Sequence, residues 1–152
     1  LKDGETSKTD PLNRARKLSP TNLKRIKSTP HDGGSSTSWN KNLVLACHKK
    51  DTGKTYRGTV YGRMRWDDPA PTMTTQCIGL GNGRFGHPEQ DRAISIREAA
   101  IFQTFPVDYR FMESNQPIVS AHIAKFIGNA VPVRLGSVIG KSIKNHLKEY
   151  AR

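Results

Sequence analysis

Arg92-Ala93-Ile94-Ser95-Ile96-Arg97-Glu98-Ala99-Ala100-Ile101-Phe102-Gln103-Thr104-Phe105-Pro106 opens a stretch that closes on Gly128-Asn129-Ala130-Val131-Pro132. Ser95 and Glu98 have the spacing of a capping box, in which hydroxyl and carboxylate each satisfy an otherwise orphan backbone N–H. A short helix is predicted over residues 96–104, with Ile96, Ala99, Ala100 and Gln103 at helical spacing and Pro106 stopping it. Gly128-Asn129 is a turn, and Pro132 stands where a first-turn proline starts another helix. Two helix starts thus flank an irregular bridge.

Outward from this stretch, the C-terminal side predicts a short helix near residues 120–127 and a final helix from about Pro132 to about Tyr150. Leu135, Val138, Ile139, Ile143 and Leu147 form the apolar stripe of that last helix. On the N-terminal side, residues 79–86 read as an irregular or hairpin-like loop around Asn82-Gly83. Leu43–Cys47, Thr59–Tyr61 and Thr72–Thr74 read as strands. Ser19-Pro20 starts a short basic helix that Pro30 ends, and residues 31–36 are a flexible turn. Residues 1–18 are polar and without periodicity, as expected of an arm or linker.

The 152 residues suffice for one domain, or a small domain with an extension. Hydrophobic residues make up 34% and mean hydropathy is −0.66, so part of the chain is expected to be loop or to order against a partner. A net charge of +12 favours a polyanionic partner. The first 60 residues hold 13 Lys+Arg against 5 Asp+Glu, so the excess leans to the N-terminal part. Cys47 and Cys77 form no Cys-x-x-Cys pair, and no signal peptide or long apolar run is present, which fits a reduced, cytoplasmic setting without a membrane. The five His and two Cys lack metal-ligand spacing, so no metal site is predicted. Gly81–Gly86 spells G-x-G-x-x-G, but no βαβ pattern surrounds it and Pro88 blocks a helix, so a dinucleotide site is rejected.

The pattern Arg-x-x-Ser-x-Arg-Glu-x-Ala-x-x-Gln-x-Phe-Pro followed by Gly-Asn-Ala-Val-Pro resembles the last two conserved motifs of the DNA (cytosine-5) methyltransferases. Tyr61–Asp67, Pro71–Thr75 and Gly83–Gln90 resemble the segment preceding those motifs in the same family. Several spaced matches in the expected order carry more weight than one short pattern. The resemblance is strong over residues 56–140 and loose over 10–40.

The family's nucleophile, a Cys within Pro-Cys-Gln, has no counterpart here, nor have its Glu-Asn-Val and Phe-x-Gly-x-Gly motifs. Cys47 and Cys77 are expected to be packing residues, and no catalytic residue is assigned. The resemblance implies that Asn129 and Val131 line a pocket for S-adenosylmethionine, shared with an absent catalytic lobe or subunit. For Arg92 and Arg97 it implies a mainly structural role. Glu98 is then a cap or ion-pair partner. Base readout in the major groove falls to residues 72–84, with Thr74, Thr75, Gln76, Asn82 and Arg84 capable of contact, or to residues 33–41. Arg63 and Arg65, beside Trp66, are candidates for gripping phosphates of double-stranded DNA.

The expected architecture is α+β: a small, irregular, strand-containing target-recognition region followed by C-terminal helices that would pack on an absent, Rossmann-like methyltransferase lobe. Residues 1–18 are then an arm, 19–91 the target-recognition region, and 92–152 the closing motifs and helix. The resemblance implies the DNA-recognition and cofactor-pocket-completing part of a cytosine methyltransferase of bacterial or phage restriction-modification type. Without its catalytic lobe the chain is expected to be inactive. The alternative is a freestanding basic DNA-binding module or regulator that transfers no methyl group.

Overall fold

Long irregular segments alternate with helices in the computed structural model, which describes residues 1–49, 58–113 and 115–150. The helices among these residues are α1 (Pro20–Lys27), α2 (Ala46–Lys49), α3 (Ile96–Phe102), α4 (Ser120–Asn129) and α5 (Val133–Tyr150), with 3₁₀ turns at Ser36–Ser38 and Leu80–Asn82. Their ends follow local chemistry. Ser19 Oγ accepts the Asn22 N–H and Pro20 fills the first turn of α1. The capping box of α3 is complete: Glu98 N–H donates to Ser95 Oγ at 3.2 Å and Ser95 N–H to Glu98 Oε2 at 2.7 Å.

The α+β expectation is overturned, because no strand forms among the described residues and the structure is mostly helical and irregular. Leu43 and Val44 lie in a bend before α2, Thr59–Tyr61 is a turn, and Thr72–Thr74 has no ladder partner. Extended backbone pairs only as isolated bridges: Thr6 with Arg14, Arg63 with Gly86, and Gly86 with Ala93. Among the described residues no sheet is present.

The physical reason lies in which donors meet the backbone carbonyls. Buried Arg63 donates through Nε to Thr29 O at 3.0 Å, through Nη1 to His87 O and Gln90 O, and through Nη2 to Ile26 O. Arg84 donates to the carbonyls of Gly33, Gly58 and Arg63. A guanidinium carries five N–H donors, so two side chains serve acceptors that a β-ladder would otherwise have to meet. Glycines at 79, 81, 83 and 86 and prolines at 69, 71 and 88 keep the intervening runs too short for strands.

The main core joins Met64, Met73, Cys77, Ile78 and Phe85 of the irregular region to Ile96, Ala99 and Ala100 of α3 and Ile123, Ala124 and Ile127 of α4. Helices α3 and α4 pack on each other. Each fully buried isoleucine there contributes roughly 2 kcal/mol. Residues 1–18 run alongside: Leu12, Ala15 and Leu18 are buried, Arg97 N–H donates to Leu12 O, and the Arg97 side chain pairs with Asp10 at 2.6 Å. Helix α5 differs from the other packed elements. Its first turn is tied to the end of α3, with Val133 N–H donating to Gln103 O and Arg134 N–H to Thr104 Oγ1, but none of its residues is buried. Leu135, Ile143 and Leu147 remain 50%, 55% and 59% exposed. No helix among the described residues is long and apolar enough to cross a membrane.

Candidate functional site

Asn129 ends α4 and Val131 follows it, both exposed on a turn whose backbone is held from two sides. From one side, the buried amide of Gln103 donates through Nε2 to Ile127 O at 2.9 Å, which also accepts the Ala130 N–H, and to Ala130 O at 3.1 Å, just past the end of α4. From the other, Gly128 presses on the chain at Thr74–Thr75. A Cβ on Gly128 would stand 2.2 Å from Thr74 C and 2.4 Å from Thr75 N, so glycine is required by close approach of backbone to backbone. The turn and the 72–76 segment are therefore one packed unit. Gln103 lies within the quoted motif, yet its two bonds span 24 and 27 residues and had no local signal.

Thr74, Thr75, Gln76 and Asn82 are exposed on tight turns. Cys77 N–H donates to Thr74 O and Gly79 N–H to Gln76 O, and Asn82 closes the 3₁₀ turn. Gln76 and Asn82 line one polar groove of about 380 Å³, together with Tyr61 and the 16–22 segment. Residues 33–41 are also at the surface, apart from buried Ser36 and Trp39. Arg65 is exposed, 3.9 Å from Asp68.

Arg63 and Arg84 have different employment from the one expected of DNA-facing side chains. Arg63 is wholly buried, with every donor nitrogen engaged internally, and leaves no surface for a phosphate. The half-buried guanidinium of Arg84 is likewise turned onto carbonyls.

Arg92 and Glu98 form a bidentate pair, Nη1–Oε2 and Nη2–Oε1 both at 2.7 Å. Burial pushes the Glu98 carboxyl upward, but hydrogen bonds from Arg92 and Ser95 outweigh it and hold the group below its ordinary value. Burial and the Arg92 cation hold His87 below the usual histidine range, against the opposing pull of the Glu98 carboxylate. Its Nδ1 accepts the N–H groups of Glu89 and Gln90, as a neutral ring can. Burial pushes the Cys77 thiol up to about 11, so thiolate is scarce at neutral pH. The packing role expected of Cys47 concerns a side chain outside the described set.

The sequence matches the family model for C-5 cytosine-specific DNA methylase over residues 2–145. The chain belongs to the C-5 cytosine-specific DNA methylases. Among curated methylases it is 55% identical to Type II methylase M.HgiDII of Herpetosiphon aurantiacus over 140 residues, covering 91% of this chain and 38% of that protein. It is 34% identical over 146 residues to DNA (cytosine-5)-methyltransferase 3 of Arabidopsis thaliana, covering 87% of this chain and 10% of the relative. It is 43% identical over 94 residues to DNA (cytosine-5)-methyltransferase 1 of Mus musculus, covering 61% of this chain and 6% of the relative. The chain thus spans well under half the length of these methylases.

Proposed function

We propose that this chain is the DNA-recognition and cofactor-pocket-completing part of a DNA (cytosine-5) methyltransferase that modifies cytosine in a specific duplex sequence, in a restriction-modification setting. The observation that carries this reading is the seat of Gly128 on Thr74–Thr75. It holds the exposed Asn129 and Val131 and the exposed Thr74–Gln76 turn in one fixed relation. An enzyme that must present a flipped base to a methyl donor needs its DNA-reading loop and its donor pocket in register.

On this reading the recognition region is 19–91 and the closing region 92–152. Thr74, Thr75, Gln76 and Asn82 face bases, and Arg65 faces phosphate. Arg63 and Arg84 support the loops from inside. Asn129 and Val131 offer an exposed amide and an exposed apolar surface, a donor set that fits S-adenosylmethionine. The chemistry that bound S-adenosylmethionine supplies is an electrophilic methyl group. Attack on carbon 6 of cytosine needs a thiolate, and Cys77, buried with its pKa raised to about 11, is unsuited to it. The nucleophile is therefore supplied by a catalytic lobe, on this polypeptide or another, and the open apolar face of α5 suits a chain that works beside such a lobe.

Mixing the chain with a catalytic lobe from a related methylase and scoring methyl transfer to duplex DNA tests the proposal. Methylation is expected only in the mixture. Methylation by the chain alone overturns the division of labour. DNA binding without methylation in any mixture favours a freestanding DNA-binding module instead.

A further inference from the structure

The geometry points to Arg16 and Lys17 as the cations that grip the DNA backbone beside the base-reading loop. This inference rests on the DNA-recognition reading and assigns it residues from a segment expected to be a mere arm. Arg16 and Lys17 line the same groove as Gln76 and Asn82. Both are exposed, and neither has an ion-pair or hydrogen-bond partner among the described residues.

They are also held in place. Ala15 and Leu18, on either side, are buried; Ala15 N–H donates to Glu5 O and Leu18 N–H to Asp3 Oδ1, both at 2.9 Å. The two cationic side chains therefore project from a pinned edge, which lowers the entropy lost when they meet a fixed anion.

Charge sets this groove apart from four others among the described residues. No Asp or Glu lines it. Three other grooves that contain Lys or Arg carry carboxylates: Asp3 and Asp91 in one, Asp68 in a second, and Asp10, Asp108 and Glu113 in a third. The groove bounded by Phe111 and Phe126 has no Lys or Arg. Two free cations and the amides of Asn22, Gln76 and Asn82, in a groove that no carboxylate lines, match a duplex edge, where phosphates flank base donors and acceptors. The internal engagement of Arg63 and Arg84 strengthens the case, because those guanidinium groups are not free to take that role.

Duplex binding by the full chain, followed by anisotropy with a random-sequence labelled duplex over a range of salt concentrations, tests this. Each phosphate contact contributes about 0.9 to the slope of log K against log salt, so R16A/K17A should flatten the slope by about 1.8. Low-salt affinity should fall roughly tenfold or more. R16K/K17R should restore both, and the charge-matched K141A/K148A on α5 should keep the original slope. A wild-type slope in R16A/K17A, with binding intact, overturns this assignment alone. No duplex binding by the unsubstituted chain overturns the DNA-recognition reading and this assignment with it.

Discussion

In residues 58–91 backbone carbonyls are met by the N–H groups of turns and isolated bridges together with the guanidinium groups of Arg63 and Arg84, whereas in residues 92–150 they are met mostly by helices. The first region depends on Arg63, whose guanidinium reaches Ile26, Thr29, His87 and Gln90 across as many as 37 residues. The second depends on local devices, the Ser95–Glu98 box and helical hydrogen bonding, with the Gln103 side chain as a long-range carbonyl clamp. Side-chain stitching allows sharp, exposed turns such as 74–76 to be presented without a sheet, at the cost of concentrating stability in a few residues. Helical construction spreads the load and tolerates change.

The largest expected difference follows directly. Arg63→Ala strands several buried carbonyls and should cost about 3–5 kcal/mol, read by urea denaturation. Arg63→Lys should recover little, because an ammonium lacks the planar fork. A loss under about 1 kcal/mol, with a changed salt dependence of DNA binding, would mean that Arg63 faces phosphate after all.

Gly128 tests the seam between the two regions. Gly128→Ala drives a methyl into the Thr74–Thr75 backbone and should cost about 1–3 kcal/mol. Gln103→Ala should cost about 1–3 kcal/mol by releasing Ile127 O and Ala130 O. Because both act on one turn, the double substitution should cost less than the two losses added together. Full additivity in denaturation would mean that the turn is not a shared unit.

These two regions also differ in how far sequence alone reveals them. The α3 cap and the stripe of α5 depend on neighbours within a few residues, and both are visible in the chain order, whereas Pro132 stands just before α5 rather than in its first turn. The expected strands do not form among the described residues, because short runs such as Thr72–Thr74 look alike whether a ladder or a guanidinium satisfies their surroundings. The arm at 1–18 gave no periodic signal, yet Leu12, Ala15 and Leu18 are buried, held through contacts near residue 97 that no local pattern announces. At the candidate site, the exposure of Gln76 and Asn82 agrees with their solvent-facing loop, while the inward turn of Arg84 was invisible.

Acid should loosen the junction by a smaller amount. Asp10 and Glu98 are held below their ordinary values of 3.8 and 4.5, Asp10 chiefly by its hydrogen bond from Arg97 and Glu98 chiefly by Arg92. Each therefore contributes stability that is present above those values and lost as pH falls through the lowered ones. His87 is held below 6.5, so the unfolded chain takes up its proton first, and stability declines as pH drops under 6.5. All three act in the same direction: stability falls from neutral to acid, beginning with His87. Thermal melting across pH should show that order, and His87→Asn should remove the first part of the decline. Melting that improves below pH 6.5 would contradict the sign.

The smallest effect separates glycines that the fold needs from glycines it does not. Gly136 and Gly140 lie within α5, and a Cβ on either would meet nothing within 4 Å. Glycine in a helix interior costs roughly 0.5–1 kcal/mol relative to alanine, so Gly136→Ala and Gly140→Ala should each stabilise the chain by about that much. For a chain of this size the melting temperature should rise by about 2–4 °C per kcal/mol, while Gly128→Ala lowers it. The same alanines become diagnostic in the presence of a catalytic lobe. If a partner surface comes close to α5 at those positions, the gain measured in the isolated chain should shrink or reverse in the complex, because the added methyl groups then occupy contact space. A gain undiminished by the lobe would mean that Gly136 and Gly140 stay in solvent, and that any surface joining the two parts lies on another face of α5.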